Sequence, residues 1–136
     1  LAVRRCSGLD PAVYHYDSHG HALVRLAGSE RIAGKIVERS GTAMGLAEGD
    51  QKPDVTVVIA SRLPRLAWKY EGMAYRASLM NAGVVFHLMY MVATDMGLAP
   101  CANGTGDSRL LQEVAGLDRF EETAIAEFAL GMPGAG

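Results

Sequence analysis

From Gly72 to Met96 the chain runs for about 25 residues without a proline, rich in Ala, Leu, Met and aromatic side chains, and breaks at Gly97. Ala, Leu and Met lose little freedom in a helix, so one long helix is expected, about 37 Å long at ~1.5 Å per residue. It is longer than a domain of this size needs. Because it is apolar nearly all round it must be covered on every side, and a chain of 136 residues holds too little other material to do so. An obligate partner surface is therefore expected. Asn81 and His87 interrupt the apolar run, so the segment reads as a buried helix and not as a membrane span.

The flanking segments supply a sheet. Val13-Tyr14-His15-Tyr16 is β-prone, Asp17-Ser18-His19-Gly20 supplies turn formers, and Ala22-Leu23-Val24-Arg25-Leu26 resumes the extended pattern, which predicts a hairpin. Ser29 reads as a helix cap, with Ile32, Ala33, Ile36 and Val37 at helical spacing to about Ser40. The β-branched run Asp54 to Ala60, apolar on both faces, suits a central strand covered on two sides. A short extended piece and a glycine-rich loop follow from Leu98 to Gly106. Asp107-Ser108 then opens a helix with Leu110, Leu111 and Val114 on one face. Thr123 to Leu130 reads as a last strand before a loose tail, Gly131 to Gly136. This order favours a single α+β domain spanning 1–136, with helices packed over a sheet.

Composition removes several function classes. A net charge of -2 leaves no basic field for nucleic acid or anionic lipid, so neither is expected as a partner. Cys6 and Cys101 lie far apart with no CxxC spacing, which argues against a disulfide framework or zinc knuckle and for a cytoplasmic location. His15, His19 and His21 sit in a hairpin with no carboxylates placed to orient them, so no metal is expected; His87 suits a core or interface position. Met80, Met89, Met91 and Met96 read as core or dimer-seam filler. The opening Val3-Arg4-Arg5-Cys6-Ser7-Gly8-Leu9 reads as the middle of a domain running into a hairpin, so a portion of a longer protein is expected.

Four motifs, in order, carry a family resemblance. They are the hairpin Ala12-Val13-Tyr14-His15-Tyr16-Asp17 through His21-Ala22-Leu23, the pair Lys69-Tyr70 within Trp68 to Arg76, the loop Gly97 to Asp107, and Leu110 to Leu117 followed by Phe128-Ala129-Leu130-Gly131. Together they resemble the nitroreductase-like flavoproteins, and within them the SagB-type dehydrogenases, which oxidise azoline rings to azoles in peptide natural-product maturation. The resemblance implies a nitroreductase-like fold with a mixed, mostly antiparallel sheet and a long central helix at a dimer interface. It further implies a homodimer binding FMN between subunits, a peptide or small-molecule substrate, and a biosynthetic partner protein. The family's N-terminal half, with an arginine-rich helix gripping the FMN phosphate and a Ser/Gly-rich loop under the ring, has no counterpart here. Arg4 and Arg5 match it poorly, so the chain would be a C-terminal portion.

By that resemblance Lys69 and Tyr70 are catalytic. Azole formation needs a base, and a lysine partly desolvated beside the flavin is neutral often enough to serve, because burial disfavours the charged form. Which of the two takes the proton stays open, and the plain alternative is a solvated ammonium beside a packed phenol at a helix start. Ala102, Asn103, Gly104 and Thr105 would line the flavin edge with main chain, against the plain reading of a strand-to-helix turn. Arg62 and Arg65 read as the polar rim of a short helix, with a weaker option of facing substrate, and Glu121-Glu122 as a solvated acidic turn. A generic NAD(P)H-dependent nitroreductase and a flavin-free interaction subunit are the rival functions.

Overall fold

The computed structural model describes residues 1–134. Its strands are β1 (Ala2–Val3), β2 (Ala12–Asp17), β3 (Ala22–Arg25), β4 (Val55–Ser61), β5 (Ala99–Asn103) and β6 (Thr123–Gly131). Its helices are α1 (Glu30–Ala43), α2 (Leu63–Tyr70), α3 (Ala74–Asp95) and α4 (Ser108–Ala115), with a 3-10 turn, Glu71–Met73, between α2 and α3. The strands form one sheet in the order β3-β2-β1-β4-β6-β5. Every pairing among the described strands is antiparallel, in keeping with the mostly antiparallel sheet expected. The expected tail begins one residue late, because Gly131 still belongs to β6; Ala135 and Gly136 lie outside the described residues.

Helices cover both faces. On one, the apolar stripe of α1 (Ile32, Ala33, Ile36, Val37) meets Ala2, Val13 and Leu110 of α4. On the other, Ala82 and Phe86 of α3 pack on Ile59, Ile125 and Ala126. Phe128, fully buried in β6, is flanked by the rings of Phe86 and Tyr90 at 5.7 and 5.0 Å. Burying such a ring contributes about 2–3 kcal/mol. The α4 boundaries follow local chemistry: the Asp107 carboxylate accepts the Arg109 N–H at the start, and Gly116 takes the left-handed conformation at the end.

Two further expectations change. Ser29 precedes α1 but does not cap it; its hydroxyl accepts the Val13 N–H at 2.8 Å and donates to Leu26 O at 2.6 Å, bolting the hairpin to the helix start. The strand β4 is central, yet most of it is only half-buried. The cause is β1, whose two residues hold β2 and β4 together at one end and leave a cleft of about 750 Å³ beyond it. As expected of a helix apolar nearly all round in a chain this short, α3 is not covered on every side by the chain itself. Only Ala74, Ser78, Ala82 and Ala93 are buried, while Met80, Val84, Leu88, Met91 and Val92 are more than half exposed. By length and apolarity alone the helical stretch Leu63–Asp95 is able to cross a bilayer. One stripe of α3 packs against β5 and β6, and its outer face is bare.

Candidate functional site

The expected flavin-edge residues divide between a strand and a turn. Ala102 and Asn103 are the end of β5, not part of a glycine-rich loop as expected, because their backbone pairs with Phe128 and Glu127 of β6. The Ala102 N–H, pointing away from β6, donates to the Tyr90 hydroxyl of α3 at 2.7 Å. Asn103 closes the turn by accepting the Thr105 N–H on Oδ1 at 3.1 Å, which leaves its buried Nδ2 without a partner. At Gly104 an added Cβ meets nothing within 4 Å, so main chain there is open to close approach. Gly106 is the opposite case: its Cβ would stand 2.8 Å from Ala124 Cβ, so only glycine lets the turn press onto β6.

Beside this turn, at the start of α4, Arg39, Thr105, Asp107, Arg109 and Glu127 line a cavity of about 820 Å³. Asp107 pairs with Arg39 and Arg109. Burial alone would raise its carboxyl, but the hydrogen bonds from Arg109 and the charge of Arg39 outweigh it and hold the group below the ordinary carboxylate value. Glu127 is only 4% exposed, and its Oε2 has no partner. Burial pushes that carboxyl above the ordinary value, and the neighbouring Asp107 charge acts in the same direction.

Lys69 and Tyr70 lie just ahead of the long helix. They end α2, and the 3-10 turn, with Glu71 at φ 46°, separates them from α3. Both are exposed, with Lys69 Nζ 5.4 Å from the Tyr70 ring centroid. The desolvation expected for this lysine is not supplied by the chain itself. Leu63, at the other end of α2, lines the cavity shared with Thr105; Lys69 stands about 9 Å further along that helix. So the pair is kept together, and the single chain does not close it over the turn.

The open main chain at Gly104 leaves room for the ring edge of a planar cofactor, whereas the Asn103 amide nitrogen is buried within the chain. Arg4 and Arg5 do not fit its phosphate. Both guanidiniums are bound to the Asp54 carboxylate, and Arg4 also donates to the carbonyls of Lys52 and Pro53.

The model of the Nitroreductase family matches residues 16–132. The chain belongs to the nitroreductase family. Among curated proteins none is similar enough to match it. Solved structures share the nitroreductase fold at low identity. The E. coli microcin synthetase McbBCD, in complex with truncated pro-MccB17, superposes with a TM-score of 0.70 at 22% identity, covering 90% of this chain and 44% of that one. A protein from Anabaena variabilis described as a nitroreductase gives 0.74 at 21%, covering 95% and 26%. Another so described from Ralstonia eutropha gives 0.69 at 18%, covering 90% and 54%. The chain thus spans about a quarter to a half of the solved chains it matches.

Sequence reasoning missed Tyr90 and Glu127. Glu127 had a signal, a lone acid inside the apolar run Ala124 to Leu130. Tyr90 had none, because its bond to Ala102 depends on where α3 crosses β5. The Arg62 guanidinium is tied to Glu122 at 2.6 Å, so Glu122 is an ion-pair partner and not a merely solvated turn residue.

Proposed function

We propose that this nitroreductase-family chain is the C-terminal portion of a cytoplasmic, FMN-dependent oxidoreductase of SagB type. It oxidises thiazoline or oxazoline rings of a peptide to azoles and works as a homodimer with the cofactor between copies. The observation that carries the reading is the Lys69-Tyr70 pair: an amine against a phenol, exposed beside the bare face of α3, with Lys69 in no ion pair among the described residues. The fold shared with the microcin synthetase complex supports a peptide substrate and partner proteins.

Azole formation takes two hydrogens from adjacent ring carbons, one as a proton and one as a hydride. Bound FMN supplies the hydride acceptor, and dioxygen restores it. Lys69 or Tyr70 accepts the proton while the other holds the ring by a hydrogen bond. The second copy, seated on α3, supplies the cover that excludes water from the pair. Main chain from Ala102 through Asn103 and Gly104 to Thr105 would hold the cofactor edge, and Arg4 and Arg5, both tied to Asp54, would not hold its phosphate.

Lys69→Ala in the flavin-loaded longer protein tests this. It should keep its flavin and lose roughly a hundredfold or more of its turnover. Loss of flavin together with turnover contradicts the assignment and makes Lys69 a cofactor-holding residue. The fold shared with the Anabaena and Ralstonia proteins favours a second reading, a nitroreductase using NAD(P)H. Rapid bleaching of the flavin by reduced nicotinamide selects it.

A further inference from the structure

The cleft between β2 and β4 has the form of a vacant strand position. Neighbouring strands lie about 4.8 Å apart, so with β1 between them β2 and β4 stand roughly 9.6 Å apart, room for one strand. Consecutive residues of both walls line the cleft, Tyr14 to Asp17 on β2 and Val57 to Ala60 on β4. That is four rungs, or about 13 Å of extended chain.

Hydrogen bonds at its closed end define which backbone groups face it. Leu1 and Tyr14 exchange a reciprocal pair, each 2.7 Å, and Arg4 N donates to Asp54 O at 2.9 Å. Antiparallel ladders alternate, so the next groups turned into the cleft are the N–H and C=O of Tyr16 on β2 and of Val58 on β4. Neither strand pairs with another described strand on that side. Two facing edges with unpaired donors and acceptors, in step with one another, are a template for a strand.

We propose that the cleft seats an extended segment of the same protein, the residues leading into Leu1, which completes β1 along its length. The proposal rests on reading this chain as one portion of a longer protein and is independent of flavin. Register follows from the existing pairs, Ala2 with Val13 and Thr56, and Val3 with Ala12 and Val55. The first residue upstream of Leu1 falls between His15 and Val58, and the second between Tyr16 and Ile59. The first points to the face where Ala2 and Ile36 meet Val58 and Val114, so it is apolar. The segment enters beside the Arg62–Glu122 pair, at the start of α2. It therefore brings the rest of the protein to the side of the sheet from which α2 carries Lys69 and Tyr70.

Residue-resolved amide hydrogen exchange on flavin-free protein tests this, comparing the 136-residue chain with the protein carrying its encoded upstream residues. The Tyr16 and Val58 amides should exchange roughly a hundredfold more slowly in the longer protein, with the amides of β5 unchanged. Equal exchange in both overturns the proposal, as does a gene that encodes nothing ahead of Leu1. Protection that grows with concentration of the 136-residue chain alone also overturns it, since the cleft would then be an edge between copies. None of these outcomes depends on redox activity.

Discussion

The Tyr90 hydroxyl accepts the backbone N–H of Ala102 at 2.7 Å, while its ring stands edge-on to Phe128 at 5.0 Å. One residue of the long helix thus satisfies an outward-facing amide of the edge strand β5 and closes over the buried ring of β6. The helix that offers a bare apolar face to a partner is also the one that positions the strand leading into the Asn103 to Gly106 turn.

Tyr90→Phe should keep the ring packing and lose the hydrogen bond. The expected cost is about 1 kcal/mol, read as a lower urea midpoint with an unchanged slope. Faster amide exchange at Ala102, with β4 unaffected, would locate the loss at the β5 edge.

Asp54 gathers both arginines of the β1 end, and its carbonyl also accepts the N–H groups of Arg4 and Arg5 at 2.9 and 3.1 Å. Asp54→Asn should cost about 1–2 kcal/mol, less than a fully buried pair, because the Arg5 side chain is mostly solvated. The gap from the parent should narrow at high salt, which denaturation with and without added salt would reveal.

Glu127 should show itself through pH. Its folded-state pKa is raised by burial above the ordinary glutamate value of 4.5. The stability linked to its proton is fully present below that ordinary value and is lost as pH rises through the raised one. Glu127→Gln should therefore be more stable than the parent at about pH 7.5, with the difference shrinking toward about pH 4. A variant less stable at both would show that the ionised carboxylate has a stabilising partner.

Most of the fold is legible in the residue pattern, because period and turn chemistry act locally. The hairpin flanking Asp17 to Gly20, the α1 stripe from Ile32 to Val37, and the start of α4 at Asp107 all stand where local chemistry places them. The site is less legible, because its relationships are between elements. That Asn103 lies in a strand depends on its pairing with Glu127, and that Lys69 and Tyr70 end one helix before another begins depends on the turn at Glu71. The half-buried state of β4 reflects the short reach of β1, which the β-branched run itself does not encode.

The bare face of α3 should be the seam of the proposed homodimer. Leu88→Arg, at a position 57% exposed in the single chain, should leave the fold intact and convert a dimer to a monomer in sedimentation velocity. Unchanged sedimentation would place the partner surface elsewhere.

The most direct measurement is an anaerobic titration of the longer, FMN-loaded protein with a thiazoline-containing peptide, followed by flavin absorbance. The account predicts bleaching of one flavin for each ring converted to an azole, with recovery of colour when air is admitted. A colourless protein that rejects added FMN, or a flavin that the peptide leaves oxidised, would contradict it.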